Sequence, residues 1–437
     1  MGADPAMTAA GRSGSSGASL PGPFDGSPPG RPGGDLLLRG GRPVDARGRR
    51  PGTPDIAIRA GRIAAIGPDL EVAGGVVVDV AGRWIVPGLM NAHAHLCLDG
   101  GPDPEATLRG ENRTETVIRS AARLAAAVRA GVTTIRDVGG PDGIDIELAR
   151  LVEAGEIPGP RVIPSGRVVT MTGGHGWWIG LQADGPDAVR RAARENLRAG
   201  ARSIKLMATG GMMTGGRQAG QPQLTVPEMS AAVEEAHKRG VPVAAHAESR
   251  IGVLNALHAG VDSVEHGHGG DQEAIDLLLE RGATLVPTIL SDRRIIDHGV
   301  AAGIPDFVVE QCHALHESLV VFLDAAIAAG VRIAAGNDGG APLVSIGDMV
   351  GELELYVEHG MSAQAALASA TTVTAELFGL DDVGLVEMGH AADLLIVDDD
   401  PLASVAALRN PWAVLRDGRP AHGLPAPILA TPDGPAR

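Results

Sequence analysis

The stretch "VPGLMNAHAHL", Val86 to Leu96, decides how the rest of the chain is read. In an extended strand successive side chains alternate between faces, so His93 and His95 project together while Ala92, Ala94 and Leu96 face the other way. Two imidazoles side by side at a strand end suit a metal ion better than an apolar core. A doubly wound open sheet would need a glycine-rich phosphate turn after its first strand, and here that place holds histidines. The alternative, a hydrogen-bonded pair of structural histidines, holds only if nothing else in the chain answers them.

Beyond this stretch, strand-like runs alternate with amphipathic helix patterns that often end in Gly. The strands are "LMNAHAHL", "VTTIRDVG", "RVIPSGRVV", "SIKLMA", "VPVAAHA", "VDSVEHG", "ATLVPTI" and "VRIAAGND". Helices between them include "ETVIRSAARLAAAVRAG", "PDAVRRAARENLRAG", "TVPEMSAAVEEAHKRG" and "DQEAIDLLLERG". Such β-then-α units predict an α/β fold, a (β/α)8 TIM barrel over residues 87–382. Short strands with Gly-rich turns at both ends predict a small β-sandwich domain from residues 35–86 and 383–425. Residues 1–34 are nearly all Gly, Ala, Ser, Pro and Asp and read as a disordered tail, with Met7 an alternative start. Residues 426–437 read as a C-terminal tail.

Composition narrows the function. Hydrophobic residues make up 44% of the 437, but aromatics only 2%, so base- or sugar-stacking platforms are not expected. A net charge of -16 argues against nucleic acid and anionic membranes, which need clustered Lys and Arg. No apolar segment approaches a membrane span and no leader opens the chain, so the cytoplasm is the expected compartment. The two cysteines, Cys97 and Cys312, exclude a disulfide framework and fit a reducing compartment. Cys97 reads as a buried small apolar residue.

In a barrel of this kind the active site lies at the C-terminal strand ends. Those ends carry His93 and His95, then His175 just past the third strand, Lys205 on the fourth, His246 on the fifth, His266 on the sixth and Asp338 on the eighth. Each has an ordinary explanation alone: a snorkelling lysine, core histidines, a turn aspartate. Seven in register on one face point to chemistry instead. An ammonium cannot donate a lone pair, so Lys205 becomes a ligand only as an anionic carbamate formed with CO2. His237, His258, His313 and His316 lie on helix-like segments and read as structural or surface residues.

The set "HAH", "IK", "AHAE", "VEHG" and "GNDGG", in that order, resembles the amidohydrolase superfamily. The chain is similar to its imidazolonepropionase-like branch, which includes Xaa-Pro dipeptidases, zinc carboxypeptidases releasing Arg or Lys, and ochratoxin- and phenylurea-hydrolysing enzymes. "GVTTIRDVGG", "TGGHG", "ATGG" and "AGVDSVEHG" extend the match from about Asp35 to Pro420. The resemblance implies two divalent metal ions, with zinc as the metal. It places His93, His95 and Asp338 on one ion, His246 and His266 on the other, and carboxylated Lys205 between them. It implies a metal-bridging hydroxide that attacks an amide C–N centre, with His175 over the substrate carbonyl and Asp338 moving the proton.

The chain departs from Xaa-Pro-cleaving relatives at two places. Leu224 precedes Thr225 where an aromatic is usual, and Trp177 follows "GGHG" where Asp is common. Trp177, Trp178 and Leu224 are therefore expected to wall an apolar pocket, with Arg217 pairing a substrate carboxylate. The expected partner is a small-molecule amide with a bulky apolar or aromatic acyl group, and homo-oligomer formation is left open. Two alternatives stand beside this reading. One is a mononuclear ring hydrolase or deaminase of the imidazolonepropionase type, against which Lys205 speaks. The other is a catalytically inactive, metal-free scaffold, which usually loses ligands.

Overall fold

A computed structural model describes residues 35–212 and 219–424. The expected tails and Arg217 lie outside them.

The runs read as strands form parallel ladders. Leu89–Ala94 pairs with Val132–Asp137, which pairs with Arg161–Ile163. A second run begins at Val168–Thr170 and continues through Ile204–Met207, Val243–Ala247, Ser263–His266, Thr284–Val286 and Arg332–Ile333. The last strand meets the first, because Ala335 O accepts from Ala92 N at 2.8 Å and Gly339 O from His95 N at 2.7 Å.

The third strand differs from expectation. "RVIPSGRVV" is split into Arg161–Ile163 and Val168–Thr170. Pro164 has no N–H to give a ladder, and Gly166 takes a left-handed φ of 70°. The Pro164 carbonyl instead accepts from Arg202 N at 2.8 Å, which ties the break to the next strand. An unexpected short strand, Gly180–Gln182, runs parallel to Val168–Thr170.

The helices lie where the periodicity puts them, within the usual end fraying. Pro186–Ala199 buries Val189, Ala192, Ala193, Asn196 and Leu197, a stripe at three- and four-residue spacing, and stops at Gly200 with φ 114°. Arg113–Arg129 opens with a reciprocal cap between Asn112 and Glu115. The helix Asp306–Ala329 corrects the expectation about membrane-length segments: by length and composition it could span one, with mean hydropathy 1.4. Its Leu319, Phe322, Leu323 and Ala326 join the main core, and Val308, Val309 and Cys312 pack with Ile295 and Ile304. Glu310, Glu317 and Asp324 stay exposed on its other side.

Strands from both ends of the chain share a sheet. Trp84–Pro87 pairs antiparallel with Leu394–Val397, and Arg42–Asp45 lies parallel to Trp84–Pro87. A separate four-stranded sheet contains Leu36–Arg39, Asp55–Arg59, Arg62–Gly67 and Val76–Asp79. Leu36, Leu38, Ile56, Ile58 and Ile63 of this sheet pack with Ile85, Leu394, Ile396, Ala413 and Leu415 of the first. Cys97 and Cys312 are free and buried.

Candidate metal centre

The C-terminal ends of the parallel strands bring His93, His95, Lys205, His246, His266 and Asp338 together. The His93 and His266 rings are 4.9 Å apart, His246 and His266 4.7 Å, and His93 and His95 5.6 Å. Asp338 Oδ1 lies 3.3 Å from His93 Nε2 and 3.7 Å from His95 Nε2. Lys205 Nζ is 3.5 Å from His93 Nε2. Apart from His95 and Asp338, all are buried.

Three of the imidazoles are held through Nδ1. His93 Nδ1 donates to Glu265 Oε2 at 2.7 Å, and His95 Nδ1 to the Gly139 carbonyl at 2.8 Å. His266 Nδ1 sits 2.7 Å from Thr288 Oγ1. A carboxylate or carbonyl on Nδ1 fixes the tautomer and leaves Nε2 with a lone pair, as metal-ligating histidines require. His93, His266 and Asp338 each offer a donor atom within 4.8 Å of the others, as do His246, Glu248 and His266. This donor set fits divalent ions that accept nitrogen and oxygen.

Burial sets the charge states. It lowers the His95 imidazole to about 4 and those of His246 and His266 well below their ordinary range, keeping them neutral donors. Burial also lowers Lys205 to about 8, against the pull of Glu265 and Asp338. For Asp338 burial works upward, but the charges of His93, His95 and Lys205 outweigh it and hold the carboxyl well below its ordinary value.

The backbone is strained at two of these residues. His266 has φ 66° and Asp338 φ 54°, both left-handed and uncommon outside glycine. At His266 this ends strand alternation, so the adjacent Glu265 and His266 both reach His93.

His175 is brought over the same cluster, its ring 4.5 Å from that of His246. Its backbone N donates to Gln223 Oε1 at 2.9 Å, and burial lowers its imidazole to about 4. Gly211 lets the neighbouring loop pass close by, since a Cβ there would come within 2.6 Å of the His175 ring. Trp177 is 44% exposed with the Arg109 guanidinium 5.5 Å over its ring, and Trp178 is partly buried against the core. Leu224 is a correction: it is fully buried in the main core and presents no pocket surface. His237 and His316 pair with Asp262 and Asp292, while His258 and His313 are exposed.

Several residues escaped the sequence reading. Arg136 is fully buried beneath the site and donates to Glu265 Oε1 at 2.8 Å, Ser263 Oγ at 3.1 Å and the Ala92 carbonyl at 2.7 Å. Glu248, two residues past His246, lies with Oε1 3.8 Å from His246 Nε2, and burial raises it to about 8. His268 pairs with Asp292 at 2.9 Å, and both are buried. The motifs "TIRD", "AHAE" and "HGHG" held these residues, but alternation alone pointed Glu265 away from the site.

A parallel α/β fold whose strand ends converge imidazoles, a lysine and a carboxylate defines a class of hydrolase. The Amidohydrolase family matches residues 84–420, and the chain belongs to it. It is therefore a hydrolase acting on carbon–nitrogen bonds. Ochratoxinase from Aspergillus niger is 30% identical over 367 residues, covering 76% of this chain and 73% of that protein. A Xaa-Pro dipeptidase structure with bound methionine superposes with TM-score 0.79 at 29% identity, covering 88% of this chain and 98% of the other. A prolidase complexed with N-methylphosphonate-L-proline gives TM-score 0.80 at 29% identity, covering 88% and 99%.

Proposed function

We propose that the chain is a binuclear metal-dependent amidohydrolase that cleaves the amide C–N bond of a peptide-like or N-acyl amino acid substrate. The observation that carries this is the set of imidazoles gathered around Asp338 and Lys205, three of them held through Nδ1, with the Nε2 atoms of His93 and His95 turned to Asp338. His93, His95 and Asp338 would hold one ion and His246 and His266 the other. Neutral imidazoles and a single carboxylate compensate little of the charge of two dications, which favours Lys205 as an anionic, CO2-derived carbamate between them. Bound divalent ions, zinc in this reading, supply Lewis acidity and an activated water.

The remaining steps belong to the chain. Asp338, held ionised, takes the proton of the attacking water and passes it to the departing nitrogen. Neutral His175 has one ring N–H to donate to the carbonyl oxygen as negative charge grows there. The exposed indole of Trp177 suits a bulky apolar or aromatic acyl group, and Arg217 a substrate carboxylate. This reading includes closure of the parallel strands of residues 87–382 into a (β/α)8 barrel, supported by the Ala92–Ala335 and His95–Gly339 hydrogen bonds. It also takes residues 35–86 and 383–425 as a β-sandwich, supported by their shared core, and the cytoplasm as the compartment.

One observation favours the mononuclear alternative, the carboxylate of Glu248 grouped with His246 and His266. Metal analysis of the zinc-loaded protein, with a panel of N-acyl amino acids, dipeptides, carbamates and ureas, separates the two. About two ions per chain and turnover of an amide are expected. A single ion, or none, overturns the binuclear reading.

A further inference from the structure

Where the parallel strands begin, at the opposite ends from the metal ligands, lies a cleft of about 1140 Å³ that the proposed reaction does not use. One wall is the end of the helix Ile144–Glu153 and the start of the strand Arg161–Ile163. The other comes from the terminal sheets, with Arg62, Arg416 and Arg419. Val152, Ile157, Val162 and Leu380 give it apolar surface. Among the described residues, none that lines it is aromatic, so a flat ring finds no stacking platform and an aliphatic body suits it better.

The buried charges of this cleft are unevenly satisfied. Arg161 donates to Asp393 Oδ2 at 3.1 Å and to Thr134 Oγ1 at 3.1 Å, and lies 3.4 Å from Asp417 Oδ1. Arg416 is held against Asp417 and lies 3.6 Å from Asp393 Oδ1. Two guanidiniums thus share two carboxylates, yet Arg416 Nε stays buried with no hydrogen-bond acceptor. Arg202, just before the strand Ile204–Met207, has still less. It is half-buried on the same cleft, and among the described residues its side chain has no hydrogen-bond or ion-pair partner. Burial pushes its guanidinium below the ordinary value, Arg161 adds to this, and Glu153 opposes it only from beyond ion-pair distance. The rim groups Arg129, Arg150, Glu156 and Asp381 are exposed, of both signs, and decide little.

A partly buried guanidinium without an acceptor calls for an anion, and its planar fork matches the oxygens of a carboxylate or a phosphate. A cleft of this size holds more than that one group, which leaves its apolar surface for the rest of the ligand. We propose that this cleft binds a small organic oxyanion, a phosphate or carboxylate on an aliphatic body, with Arg202 receiving the charged end beside Arg161 and Arg416. The site is separate from the metal centre and does not depend on the amide-cleavage reading.

Hexyl phosphate, hexanoate and hexanol share one aliphatic body and differ in the end group. In calorimetry on the zinc-loaded full chain, at least one of the two anions is expected to bind saturably, about tenfold or more tighter than hexanol. Tighter binding of hexyl phosphate names phosphate as the end group, and tighter binding of hexanoate names carboxylate. Bound zinc also attracts oxyanions, so Arg202→Gln locates the site. It should weaken anion binding about tenfold or more. The melting temperature without ligand should stay level or rise, because a partly buried, unpaired charge has been removed. Anion binding that survives Arg202→Gln belongs to the metal centre and overturns the proposal. Hexanol binding as tight as that of the anions shows an apolar cleft only and overturns it too, as does the absence of binding. A lower melting temperature in Arg202→Gln would show that the guanidinium already has a structural partner, and that also overturns it.

Discussion

At the scale of single residues, the site separates groups that would hold ions from groups that orient them, and each makes a different prediction. In the proposed reading Lys205→Ala removes the residue that would place a carbamate between the two ligand sets, so most activity and much of the bound metal should be lost. Acetate should restore part of the activity by occupying the gap. Full metal content and wild-type turnover in that variant would remove the case for a bridge. Glu265→Gln acts one step away: it weakens the acceptor on His93 Nδ1 and leaves Arg136 without its charged partner. Apparent zinc affinity should fall by about 10–100-fold, the usual effect of losing such an orienting carboxylate. The melting temperature of the metal-free protein should fall as well, because a buried guanidinium is left unpaired. His175→Ala should lower kcat by on the order of a hundredfold with a smaller change in KM, since its hydrogen bond forms as charge develops. The ligand candidates were legible because polar side chains at the ends of apolar strands stand out. Glu265 and Glu248 were not, because period-two alternation sets Glu265 opposite His266, whose left-handed φ of 66° lets both reach the site, and because Glu248 lies just past the end of its strand.

Among the elements, legibility followed the strength of the local signal. Helices with a clear apolar stripe and a closing Gly, such as Pro186–Ala199 and Gln272–Arg281, lie where their pattern puts them. The third strand was read as continuous because its apolar run is continuous, yet Pro164 withholds a donor and Gly166 turns the chain. Gly180–Gln182 carried too short a pattern to be seen. Caps offer a test confined to this scale. Asn112→Ala removes the side-chain acceptor that holds Glu115 N at 3.1 Å, at a helix start that contributes no candidate metal ligand. It should cost about 1 kcal/mol, read as a lower denaturant midpoint with unchanged metal content and kcat. Loss of metal together with stability would mean that this helix positions the site directly.

At the scale of the whole molecule, the sheet that pairs Trp84–Pro87 with Leu394–Val397 meets the main core in a tight seam, and that seam is where global stability should be most sensitive. The strand Leu394–Val397 belongs to the sheet built from both chain ends, yet Leu395 and Val397 pack into the main core with the parallel strands. Gly131, which opens the second parallel strand, has φ 98°, and a Cβ there would lie 2.6 Å from Leu395 Cδ2. Gly330 is the natural control, with φ 76° and nothing within 4 Å of its Cβ position. Gly330→Ala should show only the cost of a side chain in left-handed backbone, roughly 1–2 kcal/mol. Gly131→Ala should add overpacking of the seam, about 1–3 kcal/mol more, because Leu395 cannot retreat from a closed core. Denaturant midpoints of the metal-free variants measure the difference without interference from ion binding. Equal destabilisation by the two substitutions would show that the terminal sheet yields at this contact and that the seam is looser than the packing of Leu395 implies.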